Sequence, residues 1–433
     1  MSPPAVGLIG ILCLFALVAL GMPIGFTFLC IGTGGLLYLA GLKAALSAIA
    51  GISFTEMSNF IFIAIPLFLL MGHFARHSGI SRDLFTAAYK WIGRFRGGLS
   101  IASIASCAGF AACTGSSFAT AATIGSVALP EMKRFGYSPS LSTGSVAAGG
   151  TLGILIPPSI PLIIYGLITT ASVAKLFMAG ILPGLLQVAF YILAINILTR
   201  IDPSAGPKAP SFPFKEMLAS LRKVWGMVVL FILIIGSIYL GIATPTEAAA
   251  VGCTGSFLFV LGKGQFTKER FLSSIFDTGV TCCMIATIFI GAMVFSTFLA
   301  TAGLPQLLVN WLGNLNLPHW AILAIILAAY IPLGCIMESF SMILLTLPML
   351  LPVLDALNIN LIWFGILTIK MIEIGQITPP IGLNVFVIKG VAKDVPMEVI
   401  FKGILIFLVA DVFLVTLLFF FPYISLKIPS LMR

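Results

Sequence analysis

The chain contains two similar proline interruptions, Gly153-Ile-Leu-Ile-Pro157-Pro158 and Gly375-Gln-Ile-Thr-Pro379-Pro380. The second follows the first by 222 residues (375 − 153). Proline removes a backbone donor and disfavours helix in the residue before it, so each motif interrupts a helix. The pair predicts two equivalent broken helices in one chain.

The same offset recurs elsewhere along the chain. The segment from Ser117-Phe118 to Leu129-Pro130 matches the segment from Ser339-Phe340 to Leu351-Pro352, and Pro23 matches Pro245. After a slip of two residues, Phe74 and Gly79 match Phe298 and Gly303. Matches in the same order predict two homologous halves, about residues 1–200 and 225–433. The proline-rich and basic segment Arg200 to Lys223 between them is expected to be an exposed linker.

The composition excludes a soluble protein. Of 433 residues, 60% are hydrophobic and 9% are charged, and the mean hydropathy is +1.16. Apolar runs of roughly 18 to 25 residues recur from end to end, which predicts a polytopic helical membrane protein. The first run, Ala5 to Leu20, lacks basic flanks and a cleavage site and is interpreted as a retained span.

The net charge of +9 comes from 23 Lys and Arg in loops between the apolar runs, so it indicates membrane orientation and not nucleic acid binding. The eight cysteines lie in apolar segments without a CxxC motif, which argues against a disulfide framework or a zinc site. The loop around Arg76 to Arg96 is strongly basic, whereas its second-half equivalent, Thr301 to Pro318, has no Lys or Arg. Equivalent loops are therefore expected on opposite sides, as in the inverted repeats of secondary transporters.

Two apolar stretches of the first half, Ser100–Ala112 and Phe118–Leu129, are each too short to cross a bilayer and have basic residues at both outer ends. They predict a re-entrant helical hairpin that enters from the cytoplasm. Its counterpart, Trp320–Leu333 and Phe340–Leu354, should enter from the other side. The predicted fold is an all-α polytopic membrane protein with two inverted-topology repeats of an elevator-type transporter. Each repeat has five transmembrane helices and one re-entrant hairpin, and both termini are periplasmic.

This fold divides the chain into scaffold and transport segments. The predicted segments are first-repeat scaffold spans and an interfacial helix (1–97), the first hairpin and broken helix (98–170), a span and cytoplasmic linker (171–224), second-repeat scaffold spans and an interfacial helix (225–317), the second hairpin and broken helix (318–392), and the last span (393–433).

Backbone carbonyls freed at each helix break, facing the hydroxyls of a hairpin tip, would form a cage of hard oxygen ligands suited to Na⁺. The repeat predicts two such cation sites. The first would use Ser116, Ser117, Gly153, Ile156 and Pro157, and the second Glu338, Ser339, Gly375, Thr378 and Pro379. The alternative is that the prolines only kink the spans for packing.

The stretch from Cys113 to Thr123 places hydroxyls three and four residues apart at the start of the second hairpin helix, where free N–H groups favour an anion. The predicted substrate site comprises Thr114, Gly115, Ser116, Thr120, Thr123, Ser341, Gln376 and Asn384. The alternative is that the small hydroxyl residues serve only close helix packing.

Charged residues inside predicted spans are expected to be functional or paired. Lys370 and Glu373 lie three apart on one helical face and predict a structural ion pair, although Glu373 could instead neutralise a bound cation. Glu247 is expected to cap a helix. Asp411 falls within the last span, and the sequence indicates no partner for it.

At these residues the chain resembles the large, DctM-like membrane subunit of tripartite ATP-independent periplasmic (TRAP) transporters. The motifs are Gly115-Ser-Ser-Phe-Ala-Thr-Ala-Ala-Thr-Ile-Gly, Leu129-Pro-Glu-Met, Gly153-Ile-Leu-Ile-Pro-Pro-Ser, Ala243-Thr-Pro-Thr-Glu-Ala and Glu373-Ile-Gly-Gln-Ile-Thr-Pro-Pro-Ile-Gly-Leu-Asn. One departure is Glu338, where Asp is expected in many relatives.

The resemblance implies a protein of the bacterial inner membrane that imports a small organic anion with a Na⁺ gradient by an elevator mechanism. It also implies two partners, a small four-helix membrane subunit and a periplasmic substrate-binding protein. No organic cofactor and no nucleic acid partner are expected.

Other classes of function fit less well. An intramembrane enzyme is disfavoured because the sequence has no HExxH, no Gly-x-Gly-Asp and no paired membrane aspartates. Opposed hairpins suit alternating access better than a channel. A stand-alone carrier coupled to Na⁺ or H⁺ stays open as an alternative. The solute also stays open among C4-dicarboxylates, sialic acid, other carboxylates and sulfonates.

Overall fold

The computed structural model describes residues 1–313 and 317–432, and this part consists of helices and their connections, without a strand. In the first half the helices are α1 (Pro3–Ala19), α2 (Ile24–Ala40), α3 (Leu42–Met57), α4 (Ala64–His77), α5 (Ile80–Ile92), α6 (Gly98–Thr114), α7 (Ser117–Arg134), α8 (Pro139–Leu155), α9 (Ile160–Thr169) and α10 (Val173–Ile201). In the second half they are α11 (Phe214–Tyr239), α12 (Pro245–Gly262), α13 (Lys268–Thr301), α14 (Leu304–Gly313), α15 (His319–Ile336), α16 (Ser339–Ala356), α17 (Leu361–Ile377), α18 (Leu383–Val391), α19 (Met397–Phe420) and α20 (Tyr423–Ser430). Residues 314–316 of the predicted segment 225–317, and Arg433 of the segment 393–433, lie outside the described residues.

The helix boundaries follow the repeat read from the sequence. Helices α7 and α16 have 18 residues each and begin 222 residues apart (339 − 117), and α8 and α17 have 17 residues each at the same offset (361 − 139). Eight helices or helix pairs of the described part are long and apolar enough to cross a membrane. The all-helical membrane fold is confirmed.

Some boundaries differ from the prediction. The hairpin helices have 17 or 18 residues and extend beyond the predicted apolar stretches, because helix continues into the polar and small residues at their ends. Only residues 202–213 of the predicted linker are non-helical, because α10 extends to Ile201 and α11 begins at Phe214. A short 3₁₀ turn at Phe60–Ile63 also separates α3 from α4, whereas the second half has the single 34-residue helix α13.

The basic loops lie together in one layer, which we call the basic side. Four ion pairs join them: Arg76–Asp277 at 3.5 Å, Lys90–Glu216 at 3.0 Å, Lys133–Asp394 at 2.5 Å, and Lys263–Asp83. The hydrogen bond from Lys133 lowers the pKa of the Asp394 carboxyl. Loops from both halves therefore share this side.

The first hairpin begins and ends on the basic side. The linker accepts a backbone hydrogen bond from each end, from Gly97 N to Gly206 O at 2.9 Å and from Ser138 N to Ala205 O at 3.0 Å. The two ends also meet directly, since Leu99 N donates to the Tyr137 hydroxyl at 3.1 Å. Helices α6 and α7 thus enter and leave on the same side, as a re-entrant hairpin does.

The two halves interlock in matching pairs. Helix α2 packs along α13, and its equivalent α12 packs along α4. The second hairpin helix of each half, α7 or α16, likewise contacts the second segment of the other half's broken helix, α18 or α9. The α2–α13 contact is close enough to require glycine, because a Cβ on Gly32 would lie 2.7 Å from Phe295 N. These contacts between the two halves bring both hairpins and both helix breaks to the centre of the molecule.

Candidate functional site

The two hairpin tips meet through one amide side chain. Ser117 Oγ donates to Gln376 Oε1 at 3.0 Å, and Gln376 Nε2 donates to Ser339 Oγ at 2.7 Å. Ser117 and Ser339 are equivalent under the repeat, each at the start of the second hairpin helix of its half. The side chains predicted for the first cation site, the second cation site and the substrate site are therefore in direct contact.

The first hairpin tip lies against the first helix break. Gly115 has φ +59° and approaches the break so closely that a Cβ would lie 2.9 Å from Pro158 O. A Cβ on Gly153 would lie 2.4 Å from Ser116 O. Thr120 Oγ1 donates to Ser116 O at 2.8 Å and lies 2.8 Å from the Thr114 hydroxyl. Of the residues predicted for the first cation site, these contacts involve Ser116 O and Gly153, whereas Thr114 and Thr120 were predicted for the substrate site.

The first break itself is stabilised by a residue that the sequence reading missed. Helix α8 ends at Leu155, and Ile156 is extended with ψ 123°. Ser159 Oγ donates to Ile154 O at 2.5 Å and accepts from Leu162 N at 3.4 Å, so it caps both helix segments. A serine directly after a double proline was the available signal, since serine is a preferred N-cap.

The second hairpin tip contacts the second helix break through Gly334 and Cys335. A Cβ on Gly375 would lie 2.7 Å from Gly334 Cα. Cys335 Sγ donates to Thr378 O at 3.4 Å and to Pro379 O at 3.5 Å, so carbonyls freed at this break face a thiol. Cys335 was not among the predicted site residues, although it follows Cys113 by the repeat offset of 222 (335 − 113).

Glu338 and Ser341 of the second tip line a separate cavity of about 450 Å³. Its other walls include the turn between α1 and α2 at Met22 and the middle of α13 at Met284. The contacts found at Gly375 and Thr378 come from Ile331, Gly334 and Cys335. Glu338 therefore faces this cavity, whereas Cys335 contacts the second break.

A larger cavity of about 1260 Å³ opens between the first hairpin and α11 and α12 toward the basic side. Thr123 and Ser126 of α7 form part of its wall, opposite Arg222 and Lys223 of α11. Arg82 also lines it, and these three cationic side chains have no ion-pair partner within 4 Å in the described part of the chain. The cavity is therefore a positively charged approach to the hydroxyl-bearing face of α7.

Asn384, the remaining predicted substrate residue, is fully buried on α18. Its Nδ2 donates to Ala147 O of α8 at 3.4 Å, and its Oδ1 has no hydrogen-bond partner among the described residues. It therefore tethers the second broken helix to the first.

The charges within the spans form one fully buried network. Lys370 Nζ lies 2.7 Å from Glu373 Oε2 and 2.7 Å from Asp411 Oδ1, which confirms the predicted pair and supplies the partner that Asp411 lacked. Gln187 Nε2 donates to Glu373 Oε2 at 2.9 Å, and the Tyr191 hydroxyl donates to Asp411 Oδ2 at 2.8 Å. The network joins α10, α17 and α19 directly behind the second break.

The repeat relates the polar members of this network. Glu373 follows Thr151 by 222 residues (373 − 151), and Asp411 follows Gln187 by 224 (411 − 187), the offset that also separates the starts of α10 and α19. The Gln187 amide nitrogen donates directly to the Thr151 hydroxyl at 3.3 Å. In the equivalent pair of the second half, Lys370 lies between Glu373 and Asp411 and contacts both. One half thus carries neutral polar groups where the other carries acids.

Comparison with known proteins identifies the family. The model of the family described as "Tripartite ATP-independent periplasmic transporter, DctM component" matches residues 11–424. The chain belongs to this TRAP transporter family. It is therefore a transporter permease of the membrane and not an enzyme, as its hairpins and broken helices indicate.

Relatives within the TRAP family transport different solutes. The C4-dicarboxylate large permease DctM of Pseudomonas aeruginosa is 37% identical over 87% of this chain and 88% of its own length. The sialic acid large permease SiaM of Vibrio cholerae is 31% identical over 95% of each. The isethionate permease DctMQ of Oleidesulfovibrio alaskensis is 32% identical over 89% of this chain and 60% of its own length.

Among solved structures, the YdaH transporter of Alcanivorax borkumensis has a similar fold. The TM-score is 0.65 at 15% identity, over 89% of this chain and 90% of that one. At this identity the likeness concerns the fold alone. It shows that a TRAP permease and YdaH share one helical transporter architecture.

Proposed function

We propose that the chain is the large subunit of a Na⁺-coupled TRAP importer that carries a small carboxylate or sulfonate across the bacterial inner membrane. The observation that carries this proposal is the meeting of both hairpin tips at Gln376, beside two interrupted helices. Broken helices at mid-membrane depth are where secondary transporters bind ions and substrate. The relatives' solutes, C4-dicarboxylate, sialic acid and isethionate, indicate an anionic substrate.

Two Na⁺ sites are proposed, one at each tip. The first uses oxygens of Ser116, Ser117 and the break at Ile156 and Pro157, together with Thr120, whose hydroxyl donates to Ser116 O. The second uses Ser339 and the carbonyls of Thr378 and Pro379. Oxygen donors of this kind suit a hard monovalent cation, and the helix interruptions supply carbonyls that no helical bond consumes.

The anion binds on the hydroxyl face of α7 and leaves through the cavity on the basic side. Thr123 and Ser126 offer donors at the wall of that cavity, and Arg82, Arg222 and Lys223 give it positive potential. A cleft lined by one sign of charge concentrates ligands of the opposite sign. We therefore assign this cavity to the state that is open to the cytoplasm.

Transport follows an elevator motion of one group of helices against the rest. The moving group comprises the hairpins, the broken helices and the spans α10 and α19, because α19 packs along α8 of the first broken helix and α10 packs on both α19 and α17. Helices α1–α5 and α11–α14 form the scaffold. At the boundary, scaffold residue Gly72 approaches the first tip so closely that a Cβ would lie 3.2 Å from Cys113 O.

The basic side is proposed to face the cytoplasm, which leaves both termini periplasmic. The small membrane subunit would extend the scaffold within the bilayer. The periplasmic binding protein would deliver the anion from the opposite face.

The test is uptake into proteoliposomes that hold this chain, its small subunit and its binding protein. Labelled succinate, sialic acid and isethionate are offered with an inward Na⁺ gradient and with K⁺ in its place. We expect uptake of one class of anion only with Na⁺ and the binding protein together. Na⁺-independent uptake contradicts the cation sites, and uptake without the binding protein favours a stand-alone carrier.

Variants of the tips localise the coupling. Ser117→Ala and Ser339→Ala should each raise the Na⁺ concentration that gives half-maximal uptake. Ser220→Ala is the matched control, because among the described residues the Ser220 hydroxyl donates only to Met217 O, within scaffold helix α11. Equal effects of all three substitutions would contradict the assignment.

A further inference from the structure

Gln376 contacts one serine from each proposed cation site, and its side chain is fully buried between them. We propose that Gln376 is a positioning residue that makes Na⁺ binding at the two sites cooperative. This inference rests on the proposed function, since it concerns the same two sites. It adds that the sites are linked through a single amide.

The two ends of an amide have different hydrogen-bonding roles. The oxygen only accepts and the nitrogen only donates. While Gln376 bridges both serines, the Ser117 hydroxyl therefore donates and the Ser339 hydroxyl accepts. Rotating the amide by half a turn exchanges the roles, but the bridge never gives both serines the same role.

Because the two serines take opposite hydrogen-bonding roles, a cation bound at one site changes the other site. A cation on Ser117 Oγ repels the hydroxyl proton and holds it toward Gln376 Oε1, which strengthens that hydrogen bond. The amide is then fixed with its nitrogen toward Ser339 Oγ, which holds that oxygen in place before the second cation arrives and leaves its other lone pair available to the ion. A second ion that meets an ordered ligand binds more tightly than the first.

The repeat shows that packing alone does not require an amide here. The equivalent of Gln376 in the first half is Ile154 (376 − 222), which is equally buried. A branched aliphatic side chain therefore fills the matching position. Among the described residues, Gln376 is the one side chain that hydrogen-bonds to both tip serines, so replacing it removes the whole bridge.

The experiment measures Na⁺ binding to the purified chain with its small subunit, by equilibrium binding of radioactive Na⁺ and by Na⁺-dependent thermal stability. In the unsubstituted protein we expect two ions at saturation and a Hill coefficient approaching 2. Gln376→Leu should still bind two ions, with a Hill coefficient near 1. The half-saturating concentration should rise by about 2- to 12-fold, the square root of the roughly 5- to 150-fold range of typical coupling factors.

Gln376→Glu separates coupling from a merely structural role. Glutamate has the shape of glutamine but two accepting oxygens, so both serines can donate at once and their opposed roles disappear. We expect a lower half-saturating Na⁺ concentration, because a negative charge is added, together with a Hill coefficient near 1. Ile154→Leu is the control at the matching position and should leave the Hill coefficient unchanged.

The outcomes are distinct. An unchanged Hill coefficient in Gln376→Leu or Gln376→Glu overturns the inference, as does a loss of one bound ion in Gln376→Leu, which would make Gln376 a ligand. Two ions with a Hill coefficient of 1 in the unsubstituted protein overturn it as well, while the proposed function stands. Absence of Na⁺ binding in the unsubstituted protein would defeat the proposed function itself.

Discussion

Replacing Lys370 with methionine should destabilise the protein by about 3–5 kcal/mol, the usual effect of removing one partner from a buried ion pair. The Lys370 ammonium lies 2.7 Å from a carboxylate oxygen of both Glu373 and Asp411, and all three side chains are inaccessible to solvent. Methionine keeps most of the volume of lysine, so the lost stability is due to the missing charge and not to a cavity. Two carboxylates would then lie buried without their shared cation.

The matched variant is Asp411→Asn. It leaves Lys370 paired with Glu373 and keeps an acceptor for the Tyr191 hydroxyl, so its effect should be on the order of 1 kcal/mol, the range of one hydrogen bond. The assay is thermal unfolding in detergent, followed by tryptophan fluorescence. Lys370→Met should unfold at a clearly lower temperature than Asp411→Asn.

A triple variant completes the test. Adding Glu373→Gln and Asp411→Asn to Lys370→Met removes every charge from the network and should restore most of the lost stability. The reasoning fails if Lys370→Met unfolds at the same temperature as Asp411→Asn. It also fails if the neutral triple variant is no more stable than Lys370→Met alone.

Three other predictions concern backbone contacts and a cap. Gly153→Ala forces a Cβ to 2.4 Å from the first tip and should cost about 1–3 kcal/mol, with weaker Na⁺ binding in equilibrium titrations. Gly236→Ala, which has no atom within 4 Å of the added Cβ and lies inside helix α11, should not lower stability and should leave Na⁺ binding unchanged. Thr244→Ala removes the capping box with Glu247 and should lower stability by about 0.5–2 kcal/mol, measured by thermal unfolding, without changing Na⁺ affinity. Gly72→Leu should reduce uptake at least about tenfold while Na⁺ binding persists. An overpacking cost of roughly 1.4 kcal/mol on the moving state lowers its population tenfold. Unimpaired uptake would contradict a sliding contact at Gly72.

Much of the fold could be predicted because the repeat preserves prolines and glycines at fixed offsets. Pro157 and Pro379 end α8 and α17 where the sequence placed the breaks, because proline acts through its own backbone and needs no partner. The ends of the hairpin helices were less accurate. Hydropathy placed the end of this helix at Leu129, but α7 continues to Arg134 through Pro130, Glu131, Met132 and Lys133.

The contacts of the site were harder to predict, because its partners come from distant parts of the chain. Nothing near Asp411 in sequence indicates Lys370, which lies on another helix. Gln376 was named as a substrate residue, but its bridge between Ser117 and Ser339 depends on how the halves interlock. The equivalence of Gln187 and Asp411 is visible in the sequence only after the slip in offset from 222 to 224 is known.

The linker between the halves has a mechanical consequence. Gly206 and Ala205 hold the two ends of the first hairpin, and Ala209 N donates to Gly93 O at 3.0 Å beside them. These hydrogen bonds from the linker hold the base of the hairpin closed. Opening or lengthening the chain at this point would let α6 and α7 splay apart. Reporter insertions and splitting of the gene into two should therefore avoid residues 202–213, although a loop between two duplicated halves looks like the natural place for both.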